Sequence, residues 1–197
     1  MSRLNVLLAG VGGQGLITLA SVMAKAGVIE GTKVLVAETH GLSQRGGSVE
    51  VHVRFGRVES PLIPPGGAHV VVALEAIEAL RSLKYMNHST LVLVNRRVIR
   101  PNLPGVKAPS LEEILEELGK AGVKVLDIPA TDLAIRAGSS LAANMVMLGA
   151  LLATGALDGY ISRGGVEKVL ETMPPRWRRV NLEALRLGYG ALRETEA

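Results

Sequence analysis

The chain has 197 residues, of which 48% are hydrophobic but only 3% aromatic, with a formal charge of +4 and no cysteine. That length suits one folded unit, taken here as a single domain over residues 1–197, whose core must be filled by aliphatic side chains. The missing cysteines exclude disulfides, thiolate zinc sites and any cysteine-held iron–sulfur cluster on this chain, and the scarcity of aromatics argues against a base-stacking nucleic-acid surface.

The apolar run Leu4 to Ala9 reads as a buried strand that feeds Gly10-Val11-Gly12-Gly13-Gln14-Gly15, a G-x-G-x-x-G array. Gln14 to Glu30 follows as a helix with Leu16, Leu19, Ala20, Met23 and Gly27 on one apolar face, stopped by Gly31. Lys33 to Glu38 is the second strand, so the first forty residues predict a βαβ unit and a parallel sheet. A glycine turn opening a helix presents backbone N–H groups to an anion such as phosphate; the competing reading is that these glycines only let the helix pack closely on the sheet.

Thr39 to Gly47 is a polar, glycine-rich loop. In Ser48 to Phe55 after it, Val49, Val51, Val53 and Phe55 alternate with Glu50, His52 and Arg54, the mark of a half-exposed strand. Nine loop residues are too few for a helical crossover, so this strand is expected to pair antiparallel with the second and to make the sheet mixed. If the first two strands lie side by side, Gln44, Arg45, Gly46, Gly47 and Ser48 share a rim with Gly10, Gly12, Gly13, Gln14 and Gly15. Arg45 suits a phosphate or carboxylate, Gln44 and Ser48 can donate hydrogen bonds, and Gly46 and Gly47 allow close backbone approach. A tight loop whose arginine pairs with a neighbouring chain is the equal alternative.

His69 to Leu74 is the next strand, followed by a short helix from Glu75 to about Leu83 and a strand from Thr90 to Asn95. Ser110 caps a helix over Leu111 to Ala121, with Glu113 in capping-box position, and Val123 to Ile128 is the last strand. Helices are then predicted at Thr131 to Ala137, Leu141 to Thr154, Arg163 to Thr172 and Asn181 to about Glu194. Leu141, Met145, Leu148 and Leu152 form a helical stripe for core or interface, and Gly138, Gly149 and Gly155 allow close neighbours. The fold class is therefore α/β: a three-layer, Rossmann-like arrangement around a mostly parallel but mixed sheet, with C-terminal helices.

Glu38 ends the second strand where a dinucleotide fold places its ribose-binding acid, but the loop and strand after it break the expected βαβαβ order. The four histidines show no metal-ligand spacing, and His40 alone stands where an acid or base could act. Arg96, Arg97 and Arg100 follow a strand ending on the same side of the sheet and either extend the anion site or form a solvated basic surface. No residues form a recognisable catalytic set or metal site. No secretory segment is read at the start, and Leu141 to Ala153 is too short to span a bilayer, so a cytoplasmic protein without a membrane partner is expected.

Gly10-Val-Gly-Gly-Gln-Gly15, Glu38-Thr-His-Gly-Leu-Ser-Gln-Arg-Gly-Gly-Ser-Val49, Val53-Arg-Phe-Gly56 and Ser60-Pro-Leu-Ile-Pro64 resemble the gamma-type subunit or domain of 2-oxoacid:ferredoxin oxidoreductases, most nearly the small beta subunit of the indolepyruvate enzymes. Asn144-Met-Val-Met-Leu-Gly149 and Asn181-Leu-Glu-Ala-Leu-Arg-Leu-Gly188 extend the resemblance into the C-terminal helices; Leu42 departs from it, standing where many relatives have methionine. The resemblance implies coenzyme A-dependent oxidative decarboxylation of a 2-oxoacid, with thiamine diphosphate and [4Fe-4S] clusters on a large partner subunit passing electrons to ferredoxin. It implies no cofactor held by this chain alone and no activity in isolation, and it turns Gly10 to Gly15 and Gln44 to Ser48 toward the partner's active site, near the coenzyme A phosphates. A stand-alone nucleotide-binding domain and a non-catalytic scaffold are the competing functions. A homodimer is left open.

Overall fold

The first apolar run forms β1 (Arg3–Val11), which turns through the glycine array into α1 (Leu16–Ile29) and then β2 (Val34–His40). The computed structural model describes residues 2–40, 46–100 and 107–192. After β3 (Ser48–Gly56) come β4 (Val70–Ala73), α2 (Ala76–Arg81), β5 (Leu91–Asn95), α3 (Leu111–Lys120) and β6 (Lys124–Ile128). The chain then passes into α4 (Ala130–Ala137), α5 (Ala143–Ala153), α6 (Arg163–Glu171) and α7 (Pro175–Ala191).

The six strands make one mixed sheet in the order β2-β3-β1-β4-β5-β6. β3 runs antiparallel to both β1 and β2, and the other neighbours are parallel. The predicted antiparallel pairing of the second and third strands is therefore present. The expected side-by-side placement of the first two strands is not: β1 and β2 point the same way, but β3 lies between them. A short loop can only return its strand antiparallel, and here that strand also offers its other edge to β1.

Leu7, Val71, Ala73, Val92 and Val94 on one face of the sheet meet Ala76 and Ala79 of α2 and Ile114 and Leu118 of α3. The opposite face joins Val6, Leu8, Val51, Val53, Val72 and Leu93 to α1 and to the C-terminal helices in a larger core. The helices thus cover both faces, as predicted. Ser110 accepts from the Glu113 amide while the Glu113 carboxylate accepts from the Ser110 N–H, the predicted capping box.

The half-exposed reading of β3 is corrected. His52 and Arg54 are buried, because the segment after β3 folds back across them. The Ile63 N–H donates to His52 Nδ1 (3.2 Å), and Arg54 donates to the carbonyls of Ser60 (2.6 Å) and Leu62 (2.9 Å). Glu50 accepts from the Tyr85 hydroxyl (2.9 Å) and pairs with Lys84 (3.2 Å). Alternation located a polar face, but a hydrogen-bonded strap covers it instead of water.

Several helix boundaries also move. Glu75 caps α2 by accepting from the Glu78 N–H instead of opening the helix. α7 starts at Pro175, six residues before the predicted Asn181, since proline suits a first helical turn, where its missing N–H leaves no bond unmade. α5 is buried on all sides from Asn144 to Leu152, whereas Leu141, predicted in its stripe, lies in the preceding 3-10 turn and is 60% exposed. Gly149 and Gly188 bring α5 and α7 into backbone contact: a Cβ on Gly149 would strike the Leu185 carbonyl, and one on Gly188 would strike that of Val146.

Candidate functional site

The glycine turn lies at the carboxyl ends of the parallel strands, between β3 and β4, and the two predicted loops meet there. The Gly12 N–H donates to the Gly47 carbonyl (2.9 Å), and Val11 is paired with Ser48. They meet through β3, and the Gly12 donor is spent on joining them. Gly46 has φ of +74°, and no atom of the described residues lies within 4 Å of where its Cβ would stand. The Ser48 hydroxyl donates to Glu78 Oε2 (2.5 Å), and Glu78 in turn takes a bond from Arg81 (2.6 Å). Gln44 and Arg45 lie outside the described residues.

Gln14 does not present its side chain outward. Its Oε1 accepts from the Val11 N–H (2.7 Å), and its Nε2 donates to the Leu74 carbonyl (3.0 Å). Asn95 Nδ2 donates to that same carbonyl (3.1 Å) and to Thr131 (3.0 Å). α1 and α2, which follow β1 and β4, cover opposite faces of the sheet, so the ends of these strands form the crevice where dinucleotide folds hold their ligand. In this chain amide side chains staple that crevice. Glu38 pairs with Val51 on β3, one full strand away from β1, so it does not take the ribose-binding place beside the turn.

The donors left to the turn belong to the helix. Gly15 is the N-cap of α1 at φ 78°, ψ 30°, a left-handed conformation that favours glycine, and it has no side chain with which to cap the helix. The first intrahelical bond runs from the Leu19 N–H to the Gly15 carbonyl, which leaves the amides of Leu16, Ile17 and Thr18 without helical partners. The first turn carries no acidic residue, so the positive end of the helix dipole is uncompensated from within its own helix.

Beside this end lies a cleft of about 410 Å³, lined by Gly13, Gly15, Thr18, Leu141, Met173 and Trp177 among others. Asn144, 5% exposed, donates from Nδ2 to the Gly15 carbonyl (3.0 Å) and so fixes the turn from α5. Asn181 lines the cleft too, its Nδ2 against Met173 Sδ (3.2 Å). Leu141, Trp177 and neighbouring Ile17 remain exposed, which sets an apolar surface against the amide-rich helix end. In the sequence Asn144 and Asn181 stand out only as parts of motifs, and nothing local to Trp177 ties it to the glycine turn. One signal was available for Asn144: it is a lone polar residue inside an otherwise apolar helix.

Glu75, buried behind the turn, holds the segment after β5 by accepting from the Ile99 N–H (2.8 Å). Burial pushes its carboxyl above the ordinary range, and the Ile99 and Glu78 amides oppose that shift. Arg96 is tied to Asp127 (2.5 Å), away from the turn, so it does not extend the anion site. His40 ends β2 opposite Val49. Among the described residues no group of three His, Asp or Glu side chains is placed to hold a metal ion, and no helix is long and apolar enough to cross a membrane.

The indolepyruvate oxidoreductase subunit IorB of Archaeoglobus fulgidus is 47% identical over 195 residues, covering 95% of this chain and 94% of its own. The pyruvate oxidoreductase subunit PORC of Thermotoga maritima has the same fold, with a TM-score of 0.75 at 22% identity and 97% of each chain covered. The 2-oxoglutarate:ferredoxin oxidoreductase of Magnetococcus marinus, solved with 2-oxoglutarate, coenzyme A and succinyl-CoA bound, matches 98% of this chain with 32% of its own, at a TM-score of 0.73 and 24% identity. The model of the pyruvate ferredoxin/flavodoxin oxidoreductase family matches residues 5–191, from within β1 to the end of α7, and the chain belongs to that family.

Proposed function

We propose that this chain is the accessory subunit of a 2-oxoacid:ferredoxin oxidoreductase that acts on indolepyruvate or a related arylpyruvate. The observation that carries this reading is the 47% identity, over nearly the whole of both chains, to an indolepyruvate oxidoreductase subunit. The reaction joins a 2-oxoacid and coenzyme A to give acyl-CoA and carbon dioxide, with two electrons passing to ferredoxin.

This chain does not suit the cofactors of that reaction. It has no cysteine to ligate a cluster and no Gly-Asp-Gly motif for thiamine diphosphate. Both belong to a large partner subunit, and no chemical step runs through this chain. Its contribution is a docking face: Gly10 to Gly15 and Gln44 to Ser48 turn toward the partner, where the free amides of α1 receive the coenzyme A phosphates. The uncapped end of α1 supports this placement, since it offers donors and positive dipole beside an open cleft.

The test is reconstitution with the large subunit, followed by dye-linked turnover on indolepyruvate, phenylpyruvate and pyruvate with coenzyme A. The arylpyruvates are expected to turn over in the complex, and neither subunit is expected to be active alone. Failure of the two chains to associate, or a preference for pyruvate, overturns the reading. Calorimetry of the isolated chain with NAD separates it from a stand-alone nucleotide-binding domain, which tight binding would indicate.

A further inference from the structure

At the opposite end of the sheet from the glycine turn lies a cleft of about 790 Å³, lined by Arg3, Lys33, Arg54 and Arg57 together with Gly56 and Val58. Arg3 opens β1, Lys33 precedes β2, and Arg54 and Arg57 flank the end of β3, so the antiparallel insertion of β3 is what gathers these four cations. Glu59 lines the same cleft, yet among the described residues none of the four makes an ion pair within 4.0 Å with it or any other carboxylate.

Arg54 is the unusual member, at 8% exposure. Its Nε donates to Asn5 Oδ1 (2.8 Å), and Nη1 donates to the Ser60 and Leu62 carbonyls. Nη2 makes no hydrogen bond to the described residues, so this edge of the guanidinium keeps unspent donors on a residue that lines the cleft. Burial and the nearby Arg3 charge both push Arg54 below its ordinary value, and burial followed by these same two arginines lowers His69. A buried guanidinium without a counter-charge is costly, and an anion in the cleft offsets that cost.

We propose that this cleft binds a phosphate-type oxyanion, with Arg54 as its buried inner contact and Arg3, Lys33 and Arg57 as its exposed rim. A tetrahedral phosphate projects oxygens in several directions, so one group can reach an inner guanidinium and outer cations together. A planar carboxylate presents only two oxygens, in one plane. The site is separate from the glycine turn and does not depend on the function proposed above.

Inorganic pyrophosphate titrated into the full-length chain, followed by amide NMR, tests the proposal. The expected result is saturable shifts at Gly56 and Val58, and a Lys33→Gln/Arg57→Gln double variant that binds roughly tenfold more weakly. Both side chains are exposed and make no ion pair among the described residues, so the variant is expected to melt like the parent, which a thermal scan checks. Shifts confined to Gly12 through Leu16, no saturation in the millimolar range, or unchanged affinity in the variant overturn the proposal. So does a poly-glutamate peptide that shifts Gly56 and Val58 where pyrophosphate does not, because the cleft then docks an acidic protein.

Discussion

The glycines of the Gly10–Gly15 turn and those of the α5–α7 seam solve different problems with the same missing side chain. In the turn, Gly15 takes a left-handed conformation that lets β1 pass into α1 and leaves helix amides uncapped beside a cleft. In the seam, Gly149 and Gly188 are ordinary helical residues whose lack of a Cβ lets two helix backbones touch. The first use concerns conformation and donors, and the second concerns space. A glycine count cannot separate them, because only the neighbour's position decides which property matters.

The comparison can be broken most forcefully at the seam. Gly188→Ala places a methyl group against the Val146 carbonyl, where backbone cannot yield as a side chain would, and is expected to cost about 3 kcal/mol in chemical denaturation. Gly15→Ala is expected to cost about 2 kcal/mol, from the left-handed backbone and from contact with Asn144 Nδ2. At a temperature where both variants remain folded, Gly15→Ala should nevertheless lower the reconstituted complex's activity more than Gly188→Ala. The reverse order would show that the turn serves packing alone.

Asn144→Ala removes the bond to the Gly15 carbonyl and is expected to cost about 1.5 kcal/mol, with hydrogen exchange at Leu16 to Thr18 rising more than in the core. Ser110→Ala, remote from both glycine regions, should cost about 1 kcal/mol through loss of its cap without changing activity. A pH series adds a background common to all these variants. Burial holds His52 below its ordinary value, with Lys84 and Arg54 adding to the shift and Glu50 opposing it. Its folded value is thus the depressed one, so its contribution is complete above about pH 6.5 and is lost as pH falls toward the folded value. Both glycine variants should keep this acid limb, and His52→Gln should make it shallower, leaving the part that His69 contributes.

Much of the fold was legible because its signals are local. The apolar run of β1, the α1 face from Leu16 to Gly27 and the Ser110–Glu113 box each lie within a few turns of chain. The polar positions of β3 were legible as a face, but not what covers it, since the covering strap is held by specific bonds to His52 and Arg54. At the candidate site the glycine turn and its meeting with Gly47 were readable. The inward turn of Gln14 was not, because its acceptor on Leu74 lies 60 residues away.

By itself the sequence determined the α/β order of elements, the glycine turn at the head of α1 and the absence of any cysteine-held cluster, since these depend on local periodicity, turn chemistry and composition. Only the tertiary structure decided that β3 lies between β1 and β2, that Asn144 anchors Gly15 across 129 residues, and that four cations gather at the end of the sheet opposite the glycine turn. Residues far apart in the chain meet by strand pairing and close packing. Those events depend on which surfaces fit and which polar groups find partners, and no single stretch of sequence carries that information.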